Sequence, residues 1–124
     1  MSAALSGVRV LIVEDEALIA LAVETLLRDF GCDVVAVAYH VSEALGVARS
    51  LPIDIALLDV NVAGKEVFPV ADTLLSRSIP FVFASGYGVN ALRADLRRHP
   101  LVHKPFAPQE LRRALEDVLA GRRA

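Results

Sequence analysis

The chain has little of what stabilises small secreted proteins or builds membrane spans. Its 124 residues include one cysteine, Cys32, and no tryptophan. A single cysteine excludes an internal disulfide framework and a cysteine-based zinc site. No apolar run approaches the ~20 residues that span a bilayer, and the first seven residues lack the basic and apolar segments of a signal peptide. We therefore expect a cytoplasmic protein with no membrane partner.

Size and composition predict one folded domain. With 55% hydrophobic and 23% charged residues, the chain has enough apolar material for a core and the length of a single domain, residues 1–124 with no output domain. The net charge of −2 argues against a nucleic-acid partner, although residues 90–124 hold 8 basic and 4 acidic side chains. These arginines fit a solvated helix face, or an output surface that includes Arg93 and Arg97.

Five short apolar runs alternate with five stretches of helical periodicity. The runs lack polar alternation, which is typical of parallel strands covered by helices on both faces. We predict strands at 8–13, 33–38, 54–59, 80–84 and 101–103. We predict helices from 17 to a stop at Gly31, and at 42–50, 67–75, 91–98 and 108–120. This order predicts an α/β fold with a doubly wound, five-stranded parallel sheet.

Polar side chains follow four of these strands at the point where each strand ends. Strand one is followed by Glu14 and Asp15, strand three ends in Asp59, strand four runs into Ser85 and strand five into Lys104. In doubly wound sheets the ligand site lies beyond the carboxyl ends of the strands. Carboxylates about 4 Å apart repel by about 4 kcal/mol at an effective dielectric of about 20, so they need a cation. An all-oxygen ligand set suits Mg²⁺.

A carboxylate beside Mg²⁺ and a lysine can also capture a phosphoryl group covalently. The order Glu14-Asp15, Asp59, Ser85 and Lys104 over five βα units resembles the receiver domain of two-component response regulators, with its (βα)5 flavodoxin-like fold. The resemblance covers essentially the whole chain. It implies a signalling domain, not a turnover enzyme, in which Asp59 accepts a phosphoryl group from a phosphohistidine of a sensor histidine kinase or phosphotransfer protein.

The resemblance also implies a set of metal ligands. They are Asp15 and Asp59 directly, Glu14 mostly through water, and the backbone carbonyl of Asn61. The loop that follows departs from the family pattern, because many members have a proline and a glycine where this chain has Ala63 and Val67. With Gly64 between them, this loop is expected to be shortened.

The phosphoryl oxygens receive two further partners by the same resemblance. Ser85 donates a hydrogen bond to one oxygen, and Lys104 pairs with another after a cis Lys104–Pro105 bond turns it into the site. Most members have an aromatic switch residue three positions before the lysine, where this chain has Leu101. The usual coupling between hydroxyl and aromatic ring therefore cannot operate unchanged.

A replacement for that switch is indicated by the segment FASGY at 83–87. It is similar to the Phe-Ala-Thr-Gly motif of an atypical, often single-domain receiver subgroup that also lacks the aromatic residue. We predict that Tyr87, hinged by Gly86 and Gly88, moves when Ser85 engages the phosphoryl group.

The first helix is apolar on more than one side. Ile19 and Val23 lie largely off the face that carries Leu18 and Leu21. They are predicted to dock the phosphodonor, as the first helix does in receivers, or to be simply buried.

Three other functions compete with a phosphorylation-controlled regulator. A phosphate sink would only drain a kinase, and a degenerate receiver would keep the fold without the chemistry. A phosphatase of the haloacid dehalogenase type is disfavoured, because its second aspartate follows two residues after the nucleophile, where this chain has Asn61.

Overall fold

The computed structural model describes residues 3–123, which form seven strands, four α-helices and three short 3₁₀ turns. The strands are β1 (Arg9–Val13), β2 (Asp33–Ala38), β3 (Ile55–Asp59), β4 (Asn61–Val62), β5 (Lys65–Glu66), β6 (Phe81–Ser85) and β7 (Leu101–His103). The α-helices are α1 (Ala17–Asp29), α2 (Val41–Ser50), α3 (Phe68–Ser76) and α4 (Pro108–Arg123). Within residues 3–123, no helix is long and apolar enough to cross a membrane.

Five strands form one parallel sheet in the order β2-β1-β3-β6-β7. The chain runs outward from β1 to β2, then crosses back to β3 and continues in the other direction. This reversal puts a switch point between β1 and β3, where ligand sites of such sheets are found. Val13 pairs with Leu58 across it, so the residues that follow each strand become neighbours. The predicted doubly wound, five-stranded sheet is confirmed.

Alternate residues of the central strands enter two separate hydrophobic cores. In β1, Leu11 and Val13 belong to the core under α2 and α3, whereas Val10 and Ile12 belong to the core under α1 and α4. All four are buried. Because successive side chains of a strand point to opposite faces, burial on both faces requires an unbroken apolar run. This is the physical reason for the apolar runs in the sequence.

Helix α1 ends close to the stop predicted at Gly31. Gly31 has a φ of 96°, in the left-handed region that glycine adopts at low cost. Its N–H donates to the Arg28 carbonyl at 2.9 Å, and the Cys32 N–H donates to the Leu27 carbonyl at 3.0 Å. These two bonds form a Schellman motif, which satisfies carbonyls at the helix end. Cys32 is buried, and burial raises the pKa of its thiol to about 11.

The helix predicted at 91–98 is wrong. The segment forms two 3₁₀ turns, and Leu92 and Arg93 between them have extended backbones with ψ of 146° and 140°. The Arg93 guanidinium donates to Asp95 at 2.6 Å and to Asp72 of α3 at 2.6 Å. Eight residues make a marginal helix by themselves. Here Leu92 and Leu96 are buried in the core under α2 and α3, and Arg93 pairs with α3.

A hairpin that the sequence analysis did not predict follows β3. Strands β4 and β5 pair antiparallel, with Asn61 opposite Glu66. Ala63 and Gly64 form the turn with φ of 51° and 81°. Two-residue turns with positive φ at both positions match the twist of a hairpin. The segment predicted to be a shortened loop is therefore a compact hairpin at the edge of the predicted site.

Candidate functional site

Side chains from separate parts of the chain meet at the carboxyl edge of the sheet. Carboxylate oxygens of Glu14, Asp15 and Asp59 lie within 4.8 Å of one another. The Lys104 Nζ lies 3.3 Å from Asp59 Oδ2 and also contacts Glu14 Oε1. Ser85 lines the same cleft of about 430 Å³. All five residues predicted from the strand ends are therefore brought together.

Asp59 lies half-buried at the end of β3, between charges of both signs. Burial raises its pKa, Lys104 lowers it and Glu14 raises it, with a net value of about 6. One lysine therefore does not compensate for removing this carboxylate from water and placing it beside another. An added cation would favour the ionised form of Asp59.

Lys104 is paired with two carboxylates at once. Glu14 is 4% exposed, and its carboxylate contacts the Lys104 ammonium. Burial lowers the pKa of Lys104, but Glu14 and Asp59 outweigh that effect and raise it above its ordinary value. The ammonium is thus retained. The Lys104–Pro105 bond is cis, as predicted.

Asp15 is held by the β4–β5 hairpin. Its Oδ2 accepts a hydrogen bond of 2.9 Å from the Ala63 N–H. Burial raises the pKa of Asp15, but this bond and smaller contributions outweigh it, and the pKa lies below its usual value. Asn61 lines the cleft, and its Oδ1 accepts from the Gly64 N–H at 3.1 Å. Sequence reasoning missed the Ala63 amide, since a main-chain donor has no signal in the residue types.

The donor set at this edge fits Mg²⁺. Glu14, Asp15 and Asp59 offer only oxygen atoms, and three carboxylates exceed the single ammonium of Lys104. Hard divalent cations prefer oxygen ligands, and Mg²⁺ in proteins is commonly held by one or two carboxylates with water and phosphate oxygens. The acidic cluster can therefore hold such an ion.

Ser85 is buried at the end of β6 and is bonded to the loop that carries Tyr87. Its Oγ accepts from the Tyr87 N–H at 3.0 Å, which leaves the hydroxyl proton available as a donor. The Tyr87 side chain is 78% exposed. Gly86 and Gly88 have no positive φ and open space where a Cβ would lie. This conformation does not require glycine at either position, so their hinge role stays a prediction.

Of the two alternatives predicted for Ile19 and Val23, burial describes Val23, although both residues also line a groove next to the site. Val23 is 7% exposed and packs in the core with Leu27. The exposed apolar residues are instead Leu18 (83%) and Leu21. Ile19 is partly buried and lines a groove next to the site. The sequence left both alternatives open because α1 carries two apolar stripes, and periodicity does not determine which of them meets the sheet.

The two arginines predicted for an output surface differ in their surroundings. Arg93 pairs with Asp72 and Asp95, and its guanidinium lies 5.9 Å from the Phe68 ring centre. It therefore connects the 3₁₀ segment to α3. Arg97 is exposed, and its Nε donates to the Leu92 carbonyl at 3.1 Å. Arg93 thus forms ion pairs within the domain, whereas most of Arg97 faces solvent.

The sheet order and the acidic cleft define a class of signalling domain. The family described as the response regulator receiver domain matches residues 10–116. The chain belongs to this family and is a receiver domain of two-component signalling. Its fold is the five-stranded flavodoxin-like fold predicted from the sequence.

Particular relatives support the same assignment. SdrG from Sphingomonas melonis Fr1 has a solved structure with 39% identity and a TM-score of 0.81, covering 97% of this chain and 99% of SdrG. SdrG has also been solved in a BeF₃-activated conformation. The phyllosphere-induced regulator PhyR of Methylorubrum extorquens is 31% identical over 115 residues, covering 89% of this chain and 43% of PhyR.

A third relative is the transcriptional regulatory protein PdtaR of Mycobacterium tuberculosis. It is 32% identical over 112 residues, covering 87% of this chain and 55% of PdtaR. The chain therefore spans about half the length of the two curated relatives and nearly all of SdrG. These relatives are signalling regulators, which gives no support to the phosphatase alternative.

Proposed function

We propose that Asp59 accepts a phosphoryl group from a phosphohistidine of a sensor histidine kinase or phosphotransfer protein, and that the phosphorylated domain signals by binding another protein. One observation carries the proposal. The Asp59 carboxylate lies within 4.8 Å of carboxylate oxygens of Glu14 and Asp15 and 3.3 Å from the Lys104 ammonium. A nucleophile, its metal ligands and a cation for the phosphoryl charge are therefore adjacent.

The transfer requires only groups of this site and the donor. A carboxylate oxygen of Asp59 attacks phosphorus, the P–N bond to the imidazole breaks, and the departing nitrogen takes up a proton from water. The product is an acyl phosphate. Asp15, Asp59 and the Asn61 carbonyl, with Glu14 through water, would hold Mg²⁺, which would neutralise charge on the phosphoryl oxygens. Hydrolysis by attack of water on phosphorus restores the carboxylate and releases inorganic phosphate.

Lys104 and Ser85 are suited to hold the phosphoryl oxygens. The Lys104 ammonium is shared between Glu14 and Asp59, so new negative charge on Asp59 draws it toward the phosphoryl group. The Ser85 Oγ already accepts from the Tyr87 N–H, so its own proton is free to be donated. Movement of Ser85 toward a phosphoryl oxygen would pull on the Tyr87 loop, which makes Tyr87 the proposed reporter of phosphorylation.

The proposal is tested by NMR with beryllofluoride, a mimic of the acyl phosphate, in the presence of Mg²⁺. We expect large amide shift changes at Asp59, Ser85, Gly86 and Tyr87 in the wild type. Asp59→Asn keeps the size of the side chain but lacks the carboxylate that beryllofluoride binds, so its spectrum should not change. Unchanged wild-type spectra would contradict the phosphoacceptor proposal, and changes that leave Gly86 and Tyr87 unaffected would contradict the switch.

An apolar groove beside the site supports docking of the phosphodonor. It has a volume of about 590 Å³. Residues of α1 and of the segment after β7 line it: Leu18, Ile19, Ala22, Val23, Leu26, Pro105, Phe106 and Pro108. The groove includes the stem of Lys104, so a protein bound there would reach the acidic cleft with its phosphohistidine. Apolar area removed from water on binding would stabilise the complex.

We predict that Leu18→Gln slows phosphotransfer from a phosphorylated histidine kinase by at least tenfold. Leu18 is 83% exposed, and surface substitutions change the free energy of unfolding by only about 0.5 kcal/mol. The rate with a small phosphodonor, which needs no docking, should stay unchanged. Leu75→Gln is the matched control, because Leu75 is an exposed leucine of α3 on the opposite face of the sheet. Equal kinase rates for wild type and Leu18→Gln would contradict docking at this groove.

A further inference from the structure

The carboxylate of Asp15 accepts a hydrogen bond from a residue with an unusual backbone conformation. Its Oδ2 accepts from the N–H of Ala63 at 2.9 Å, across 48 positions of sequence. Ala63 has a φ of 51°, in the left-handed region, where the Cβ of an L-residue is crowded by backbone. Within residues 3–123, only Ser78 is another non-glycine residue with positive φ. The hairpin turn that presents this amide to Asp15 therefore contains a non-glycine residue in the left-handed region.

Further hydrogen bonds brace the same turn. Asn61 Oδ1 accepts from the Gly64 N–H at 3.1 Å, and the Val67 N–H donates to the Val60 carbonyl at 2.9 Å where the hairpin ends. Asn61 is also the residue whose carbonyl is proposed to bind the metal. The turn therefore positions two proposed ligands at once: Asn61 through β4, and Asp15 through the Ala63 amide.

We infer that Ala63 is a positioning residue of the metal site, and that its left-handed conformation sets how tightly Mg²⁺ is bound. This inference rests on the proposed function, because it assumes that Asp15 is a metal ligand. An Asp15 carboxylate fixed by the amide is already oriented when the ion arrives. If the turn opens, the carboxylate must be reordered on binding, which weakens affinity. Alanine adopts the left-handed conformation at a higher free-energy cost than glycine or asparagine does.

The inference predicts that Mg²⁺ affinity follows the left-handed propensity of residue 63. In the unphosphorylated protein, we expect Ala63→Gly and Ala63→Asn to bind Mg²⁺ two- to fivefold more tightly than wild type. Valine is a strong outlier at positive φ, so Ala63→Val should bind about tenfold more weakly. The measurement is isothermal titration with MgCl₂, which requires no phosphodonor. Ala63→Asn and Ala63→Gly keep the test valid should Ala63→Val not fold.

Ser78 provides the matched control. It has a φ of 58° at the C-terminal end of α3, and it does not line the cleft. Ser78→Gly and Ser78→Val impose the same conformational change on the chain away from the metal site, so they should change thermal stability but leave Mg²⁺ affinity within twofold. Equal affinities across the Ala63 series, or the same ranking at Ser78, would overturn the inference.

Hydrogen exchange separates this inference from the proposed function. In metal-free wild type, the Ala63 amide should be protected, and Asp15→Ala should accelerate its exchange at least tenfold while the Gly64 amide changes less. An unprotected Ala63 amide would overturn the positioning role, even if Asp59 is phosphorylated. A wild type that binds no Mg²⁺ would contradict the proposed function, and this inference would fall with it.

Discussion

Asp59→Asn should make the metal-free protein more stable at pH 7.5, by about 2 kcal/mol in the free energy of unfolding. Folding raises the pKa of Asp59 from its ordinary value of 3.8 to about 6. The folded state therefore binds the Asp59 proton more tightly than the unfolded state does. Each unit of pKa shift corresponds to about 1.4 kcal/mol, so the shift of Asp59 amounts to about 3 kcal/mol. We expect about 2 kcal/mol because neighbouring charges adjust when Asp59 ionises.

The sign of this effect gives its pH dependence. Because the folded-state pKa is raised, the stabilising contribution of protonated Asp59 is complete below pH ~4 and is lost as the pH rises through about 6. Urea denaturation in the presence of EDTA should therefore show that wild type loses stability, relative to Asp59→Asn, between pH 4.5 and 7.5. Mg²⁺ should restore stability to wild type, because it binds the folded state.

Asp72→Asn is the matched control for this prediction. The pKa of Asp72 is lowered, chiefly by its hydrogen bond with Arg93, so removing its charge should not stabilise the protein. If Asp59→Asn and wild type have the same stability at pH 4.5 and at pH 7.5, the Asp59 carboxylate does not lie in the crowded, half-buried position described above.

Lys104→Met should lower the free energy of unfolding at pH 7.5 by about 3 kcal/mol. The Lys104 ammonium contacts Glu14, whose side chain is 5% exposed, and Asp59, whose side chain is 15% exposed. Methionine fills the space of the lysine stem but leaves two carboxylates without their cation. Removing one partner of a buried ion pair typically costs about 3–5 kcal/mol; the lower end applies because Lys104 itself is 21% exposed.

A double-mutant cycle tests the origin of that loss. If the loss of stability comes from a Glu14 carboxylate left without its cation, Glu14→Gln in the Lys104→Met background should recover at least half of the lost free energy of unfolding, because the amide is uncharged. The coupling free energy of the cycle is then well above 1 kcal/mol, as expected for groups in contact. A purely additive cycle would contradict the Glu14–Lys104 pair. Lys65→Met is the control, since Lys65 is exposed in β5.

The sheet, and the edge of it that holds the acidic cleft, could be predicted because burial leaves a pattern in the amino-acid sequence. Strands buried on both faces must be apolar throughout, as in 55–58, and a polar residue such as Asp59 is then tolerated only where the strand ends. Parallel strands bring their carboxyl ends to the same edge, so Glu14, Asp59 and Ser85 become neighbours. Position along the chain was therefore sufficient to find these side chains.

Other features depend on contacts that a linear pattern does not contain. Helix α1 has apolar residues on two sides, and its packing against the sheet decides that Val23 is buried and Leu18 exposed. In the segment 91–98, Leu92 and Leu96 pack into the core and Arg93 pairs with Asp72, 21 positions earlier. The Ala63 amide was missed because hydrogen-bond donors of the main chain leave no trace in residue types.

Intact-mass spectrometry after incubation with a small phosphodonor and Mg²⁺ tests the central claim most directly. Wild type should gain one phosphoryl group, and Asp59→Asn should gain none. The wild-type adduct should also be absent when EDTA replaces Mg²⁺. An adduct that persists in Asp59→Asn, or a wild type that gains no phosphoryl group, would contradict the claim that Asp59 is the phosphoacceptor of this acidic, Mg²⁺-binding cleft.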